Sequence, residues 1–467
     1  MQPGKIHIIG IAGVGMSATA VLLKDAGWRV TGSDAESYGP TKGVLERAGI
    51  AFKTGYTPEN IPADTDCFMV GRNAKLAPEE NAEVAAAAAS GKPRYSFPEM
   101  LARLTAGREN LVVAGSYGKS TTTSLAAHIL RHTGLDAGYF VGAEPVASAW
   151  LPAPAALGTA NEFVLEGDEY PSAHDDPRAK FLHLHPHDVL LTSVVHDHVN
   201  VYPTFESYEE PFRKLAALIP DDGLVVACAD EAGALALAKD SGKRVITYGL
   251  RDSGAEYLAT DIRYGERTRF TLVAGGTPLG EIETSLLGMH NVENIAGAAA
   301  WTLAREQAPF GAVARAIADF PGVRRRLDNL APASRVPVLE GFGSSYEKAR
   351  AAIEAVLLHF KGRRLVIVFE PHTFSWRNRA SLRWYDDIFT GAAEVFVLPP
   401  ATQGASTHEQ LDHGEIMARI GETARPYEGP EATAAALKGD DVVLVLTSGD
   451  LEGTLGALVA AVATRFS

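Results

Sequence analysis

The stretch LVVAGSYGKSTTTSLAAHIL, residues 111–130, decides the fold. It starts as an apolar, β-branched run, turns at Gly115 and Gly118, and continues with helical periodicity from Lys119. A strand that feeds a helix through a glycine turn is the building unit of parallel α/β sheets. Gly115, Ser116, Gly118, Lys119, Ser120 and Thr121 would offer backbone N–H groups at a helix start, where the positive end of the macrodipole favours phosphate. Lys119 can reach the outer phosphates, and the Ser120 hydroxyl suits Mg²⁺. Val113 stands where the common G-x-x-x-x-G-K-[ST] form has its first glycine. The alternative is an ordinary glycine turn capped by Ser and Thr; the strand–turn–helix context favours a nucleoside triphosphate with Mg²⁺.

Working outward, 467 residues exceed one core and suggest two to four domains. The net charge of -14 argues against bulk nucleic-acid binding and requires local donors for any anionic ligand. Cys67 and Cys228 are the only cysteines, so a reducing, cytoplasmic setting is expected and a disulfide framework is not. No run approaches the ~18 apolar residues of a membrane span, and the amino end has no signal-peptide pattern.

The first hundred residues alternate strand-like runs (KIHIIG, WRVTGSD) with helical ones (GMSATAVLLKDAG, TKGVLERAG), the mark of βαβ units. The polar stretch RLTAGREN precedes the opening strand. After FPGVRRRLDNL the alternation restarts with VPVLEGFG, a helix from Tyr346, RRLVIVFE, AEVFVLP and DVVLVLTSGD. Between them, TDIRYGERTRFTLVAGGTPLGEIETSLLG alternates polar and apolar residues as antiparallel strands do. The expectation is an α/β chain of three domains, residues 1–106, 107–326 and 327–467.

Several clusters carry chemistry. IIGIAGVGMSATA sets Gly10, Gly13 and Gly15 between a strand and a helix, and Asp34 ends the next strand. The order G-x-x-G-x-G differs from the dinucleotide fingerprint G-x-G-x-x-G, so close pyrophosphate approach and plain helix–strand packing both stand. VLEGDEY places Glu166, Asp168 and Glu169 at a strand's carboxyl end, and VVHDHVNVY places His196, Asp197 and His198 at another. Carboxylate with imidazole can hold a second divalent cation; solvated loop charges are the alternative. FLHLHPHD would set His183, His185 and His187 on one strand face, but without cysteine or H-E-x-x-H a structural role is favoured over zinc. Asn291 and Asn294 open a helix in MHNVEN, as caps or as readers of adenine. Arg324–Arg326 form either a solvated cluster or a clamp on a γ-phosphate.

The series GIAGVGM, GSD, AGSYGKSTTT, EGDEY, DH, MHNVEN and RRRL resembles the Mur ligase family of peptidoglycan synthesis over nearly the whole chain. Within it, GSDAESYGPTKGVLERAGI and FVLEGDEYPSAHDDPRAKFLHLHP are most similar to the ligases of murein recycling. The resemblance implies an ATP-dependent ligase joining UDP-N-acetylmuramate to L-alanyl-γ-D-glutamyl-meso-diaminopimelate, with L-alanine addition as the runner-up. It implies three domains: Rossmann-like UDP-binding, P-loop ATPase and Rossmann-like acceptor-binding. It also implies UDP-sugar contacts from Gly13, Gly15, Met16 and Asp34, and ATP contacts from Lys119. Ser120 would ligate one Mg²⁺, Glu166 and His198 a second. Asn291 and Asn294 would lie at the adenine, Arg326 at the γ-phosphate, His372 and Arg377 at the acceptor. The carboxylate would attack ATP, and the amine would then displace phosphate from the acyl phosphate. A cytoplasmic monomer or weak homodimer without nucleic-acid or membrane partners is expected.

Two departures stand out. Related ligases show Asp-Asp-aromatic-small-His-His-Pro where this chain has EGFGSSY, so Glu340 and Gly341 replace the aspartates, Ser344 and Ser345 the histidines. SY replaces TH in the phosphate loop. A one-residue-shifted ribose contact from Glu340 is one expected consequence. The rivals are a non-catalytic relative that binds UDP-muramyl compounds and an NAD-binding oxidoreductase read from the amino-terminal glycines.

Overall fold

The amino-terminal alternation folds as a five-stranded sheet in a computed structural model that describes residues 2–35, 39–72, 76–198, 201–401 and 409–467. Its strands are β1 (Lys5–Ile9), β2 (Arg29–Asp34), β3 (Lys53–Thr54), β4 (Cys67–Val70) and β5 (Arg94–Tyr95). They lie in the order β3-β2-β1-β4-β5, all parallel. Helices α1 (Val14–Asp25), α2 (Gly39–Arg47), α3 (Ala82–Ala89) and α4 (Phe97–Leu104) alternate with them.

Helix α1 joins this sheet to the next. Every residue from Met16 to Leu23 is buried, the pattern of a helix covered on all sides. Met16, Ala20 and Leu23 pack with Ile6, Ile8 and Met69 of the first sheet. Ala18 and Leu22, one turn apart, pack with Val112, Phe140 and Leu165 of the second.

The second sheet holds β6 (Glu109–Ala114), β7 (Gly138–Phe140), β8 (Ala155–Ala156), β9 (Glu162–Glu166), β10 (Asp188–Leu191), β11 (Leu224–Cys228) and β12 (Arg244–Gly249). β13 (Tyr257–Arg263), β14 (Thr268–Ala274) and β15 (Thr277–Thr284) extend it, in the order β15-β14-β13-β12-β11-β10-β6-β9-β7-β8. The two-residue turn Gly275–Gly276 between neighbours β14 and β15 requires an antiparallel pair, as the alternating pattern predicts. The associated helices are α5 (Lys119–His132), α6 (Phe205–Ala217), α7 (Ala232–Asp240), α8 (Met289–Arg305) and α9 (Phe310–Asp319). Strand β6 runs parallel between β9 and β10, so its carboxyl end is flanked by Glu166 and Leu191. Ligand sites of parallel sheets form at such strand ends.

The third sheet has the order β16-β17-β21-β18-β19-β20. Its strands are β16 (Arg326–Asn329), β17 (Val338–Gly341), β18 (Arg364–Phe369), β19 (Ala392–Val397), β20 (Ala424–Pro426) and β21 (Asp441–Leu446). Helices α10 (Tyr346–His359), α11 (Phe374–Arg377), α12 (His413–Ile420), α13 (Pro430–Ala436) and α14 (Leu455–Arg465) cover it. DVVLVL of β21 is buried throughout, as a parallel strand covered on both faces must be. The chain divides into two compact units: Met1–Ile262 with Phe270–Glu283 and His290–Phe320, and Arg263–Arg269 with Thr284–Met289 and Pro321–Ser467.

One element differs from expectation. FLHLHPHD is not a strand with three histidines on a face. Lys180–His183 forms a 3₁₀ turn, His185 has φ 45°, and the strand starts only at Asp188. Pro186 lacks a donor for a central ladder, which delays the strand. His183 pairs instead with Asp176 at 3.1 Å and His187 with Asp188 at 2.9 Å.

Candidate nucleotide site

The phosphate-loop residues emerge from β6 between the ends of its neighbours. Ser116 N–H donates to the Ser193 carbonyl at 2.9 Å and Tyr117 N–H to the Ser193 hydroxyl at 3.0 Å. The Ser116 hydroxyl donates to the Val195 carbonyl at 2.7 Å and meets the Tyr208 hydroxyl at 2.8 Å. Its side chain and its N–H therefore both brace the loop. Gly115 packs against Thr192 and Ser193, and Thr121 is buried in the first helical turn. Gly118 needs to be glycine: its φ is 81°, and a Cβ would stand 2.4 Å from Asn294 Oδ1. No side chain caps α5 and no acid lies in its first turn. That helix start is built to take its cap from an anion.

Asn294 sits behind this loop, buried. Its Oδ1 accepts from the Thr122 hydroxyl at 3.2 Å, and its Nδ2 donates to Asn291 Oδ1 at 3.2 Å. Both ends of the amide are engaged within the chain. The amide thus lies against the phosphate loop at Gly118.

Lys119 and Ser120 face the carboxylates of EGDEY. Lys119 Nζ lies 3.1 Å from Glu169 Oε2 and also donates to the Gly115 carbonyl. Glu169 is 1 % exposed and also bonds His198 Nε2 at 3.1 Å. The Ser120 hydroxyl donates to Glu166 Oε1 at 2.9 Å, and Gly142 N–H to Glu166 Oε2 at 2.7 Å. The structure thus pairs Ser120 with Glu166 and His198 with Glu169, not Glu166 with His198. Glu169, one of the three EGDEY carboxylates expected near a cation, is the shared partner of the lysine and the imidazole. His198 has φ 57°, uncommon outside glycine and a mark of a constrained position.

The electrostatics fit a divalent cation. Burial raises the Glu166 carboxyl above its ordinary range, against the lowering pull of Gly142 N–H and Lys119. Burial would also raise Asp168, but the Lys180 ammonium at 2.6 Å and Tyr170 N–H outweigh it and hold that carboxyl low. Glu166, Asp168 and Glu169 set three carboxylates against the two ammonium groups of Lys119 and Lys180. The pairs Ser120–Glu166 and His198–Glu169 each set a carboxylate beside a hydroxyl or an imidazole, donor types suited to Mg²⁺.

The amino-terminal residues Gly13, Gly15 and Met16 lie at the start of α1 and Asp34 at the end of β2. Met16 is 5 % exposed, its side chain packed in the first sheet's core, so only its backbone is left for a UDP-sugar. Gly15 is a packing glycine, its Cβ position 3.2 Å from the Phe97 ring. Gly13 caps α1 without a side chain. Asp34 Oδ2 accepts from Ala12 N–H at 2.8 Å and Oδ1 from the Tyr56 hydroxyl at 3.0 Å. The acid tethers the glycine loop to the end of β2.

In the second compact unit, Arg326 is exposed, its guanidinium carbon 5.4 Å from the Phe342 ring centroid. Glu340 does not reach outward as a substitute ribose ligand. It is 5 % exposed, with Oε1 3.2 Å from Arg325 Nε, and burial pushes its carboxyl up to about 7. At Gly341 a Cβ would already meet Leu446 Cδ2 at 3.0 Å, so the space an aspartate would need is filled. The Ser345 hydroxyl accepts from Lys348 N–H and caps α10. His372 Nδ1 bonds the Ser448 hydroxyl at 3.2 Å. Arg377 is 7 % exposed and donates to the Ala401 carbonyl at 2.6 Å, the position of an anchor and not of an open acceptor contact.

A glycine-turned phosphate cradle at the carboxyl end of a parallel sheet, faced by paired carboxylates and a lysine, defines a P-loop nucleotide-binding α/β protein. The chain belongs to the Mur ligase family. Residues 5–109 match "Mur ligase family, catalytic domain" and residues 113–302 match "Mur ligase middle domain". The UDP-N-acetylmuramate–L-alanine ligase of Arthrobacter sp. (strain FB24) is 34% identical over 399 residues, 85% of this chain and 81% of that protein. The solved UDP-N-acetylmuramate–alanine ligase of Thermotoga maritima superposes with a TM-score of 0.78 at 21% identity, covering 98% of each chain. The solved UDP-N-acetylmuramate:L-alanyl-γ-D-glutamyl-meso-diaminopimelate ligase of Neisseria meningitides is 28% identical, with a TM-score of 0.60 over 69% of this chain and 100% of its own.

Proposed function

We propose that this chain is an ATP-dependent amide ligase that joins the carboxylate of UDP-N-acetylmuramate to an amine, with L-alanine as acceptor. The observation that carries the reading is the uncapped start of α5 beside the pairs Ser120–Glu166 and Lys119–Glu169–His198. The 34% identical relative named for L-alanine addition favours that acceptor over the tripeptide that the sequence motifs suggest. The tripeptide remains the second reading, on the 28% identity to the Neisseria structure.

In this reading the N–H groups of Gly118 to Thr121 cradle the phosphates of ATP, and Lys119 leaves Glu169 to place its charge on the transferring phosphoryl group. Ser120 with Glu166, and His198 with Glu169, would each hold Mg²⁺, which when bound neutralises phosphate charge. The donor carboxylate takes the γ-phosphoryl group, and the acceptor amine then displaces phosphate from the acyl group. His372, fixed by Ser448, is the imidazole we assign to the acceptor side. Domain limits at 106/107 and 326/327, with the UDP-sugar on the first sheet, belong to the same reading. So do action as a monomer or weak homodimer and a cytoplasmic setting, the latter supported by the free, buried Cys67 and Cys228. Among the described residues no helix is long and apolar enough to cross a membrane.

The test is incubation with UDP-N-acetylmuramate, ATP, Mg²⁺ and either L-alanine or the tripeptide, with products read by mass. An L-alanyl product supports the assignment. A tripeptide product alone selects the second reading. Binding of UDP-N-acetylmuramate with no product from any amine leaves a non-catalytic nucleotide-sugar binder.

A further inference from the structure

A hairpin excursion after β9 returns a lysine to the site. Lys180 N–H donates to the Tyr170 carbonyl at 2.9 Å and Phe181 N–H to the Asp168 carbonyl at 3.1 Å, while Pro171 and Ala179 bridge the two arms. The fold-back sets Lys180 Nζ 2.6 Å from Asp168 Oδ2, and 5.4 and 5.8 Å from the centroids of Phe97 and Tyr170. The side chain is only 18% exposed, so the ammonium is clamped between an acid and two rings. Asp168 uses one of its three donors.

In front of it opens a cleft of ≈ 250 Å³. Its walls include Val14 and Gly15 at the start of α1, Phe97 of α4, and Gly142 and Glu166 beside the phosphate loop. Lys180 is the only cation among the described residues that line it. The cleft is smaller than those that enclose a whole drug-sized ligand, so it fits one end of an extended molecule. A nucleotide sugar lying across the carboxyl end of β1 would pass through this cleft to bring its acid end to Glu166 and Ser120.

We propose that Lys180 reads the carboxylate of the sugar-acid donor, as a positioning and specificity residue that the phosphate-loop motif does not include. The inference rests on the ligase reading above. A partly desolvated ammonium held in place loses little entropy on meeting a carboxylate, and it favours donors that carry one. The acceptor amino acid also has a carboxylate, but the cleft lies on the side of α1 and α4, where the donor is placed.

Calorimetric binding separates the possibilities, using UDP-N-acetylmuramate and UDP-N-acetylglucosamine, which lacks the carboxylate-bearing ether. Lys180→Met is expected to weaken the first at least tenfold and leave the second unchanged, with Lys180→Arg retaining part of the discrimination. Equal weakening of both ligands, or unchanged discrimination, overturns the proposal. A loss confined to the KM for the amine, with donor binding intact, would move Lys180 to the acceptor and overturn it as well. If the unaltered protein binds UDP-N-acetylglucosamine as tightly as UDP-N-acetylmuramate, Lys180 is not a reader although the ligase reading survives. If it binds neither, the ligase reading itself falls, and this inference with it.

Discussion

Glu169 is buried to 1 % exposure and shared by Lys119 and His198, which changes what a substitution at the lysine should do. A lysine at a helix mouth reads, in sequence, as a side chain with little contact. In the structure its removal leaves a buried carboxylate with only an imidazole beside it. Breaking one side of a buried pair is destabilising by roughly 3–5 kcal/mol, more than removing both. Lys119→Met should abolish ATP turnover and lower the melting temperature. Lys119→Met with Glu169→Gln should recover much of the stability while remaining inactive. A double variant no more stable than the single one would mean the pair is not what holds this corner. Glu166 behaves differently, since its partners are a hydroxyl and an amide N–H. Glu166→Gln should keep the fold and raise the Mg²⁺ needed for half-maximal turnover, measured by titrating Mg²⁺ at saturating ATP.

At the scale of elements, helix α1 shows what the sequence can and cannot state. GMSATAVLLKDAG is legible as a helix, and the glycine turn before it as a loop. That the helix serves two cores is not legible, because a run apolar on all sides gives no direction. Ala18 and Leu22 turn out to face the second sheet and Met16 the first, which leaves the Met16 backbone and not its side chain for a ligand. The phosphate loop is fully legible, since its residues are consecutive and their chemistry is local. The amide of Asn294 is not, because it meets Gly118 across 176 positions, from 118 to 294, and nothing local marks the partner. FLHLHPHD misleads because alternation outweighed Pro186, a single residue that decides where the ladder begins. The two-sided packing makes a prediction. Leu22→Ala empties a fully buried site in the second core, worth about 2–5 kcal/mol. It should lower the unfolding free energy by that amount, seen as a lower urea midpoint at unchanged slope, and loosen UDP-N-acetylmuramate binding less than it loosens the fold, measured by denaturant titration and calorimetry.

Over the whole molecule, the two compact units carry buried titratable groups with opposite pH dependence. In the first, His128 is fully buried, its ring 5.2 Å from Phe320 and 5.6 Å from His132. Burial, reinforced by His132, pushes its pKa from 6.5 down to about 4. The unfolded chain then takes up a proton that the folded unit refuses, so stability is present above pH 6.5 and is lost as pH falls towards about 4. In the second unit, burial raises Glu340 from 4.5 to about 7, with Asp328 adding to the rise and Arg325 opposing it. Here the folded unit holds a proton that the unfolded chain releases, so stability is present below pH 4.5 and is lost as pH rises towards about 7. Each shift is worth about 3 kcal/mol at its limit. Scanning calorimetry should therefore show His128→Leu raising a melting transition at pH 5 but much less at pH 8. Glu340→Gln should raise one at pH 8 and not at pH 4.5, even though it weakens the contact with Arg325. The two substitutions lie in different units, so their effects should add. If both variants shifted the same transition at the same pH, the division into separately titrating units would be wrong.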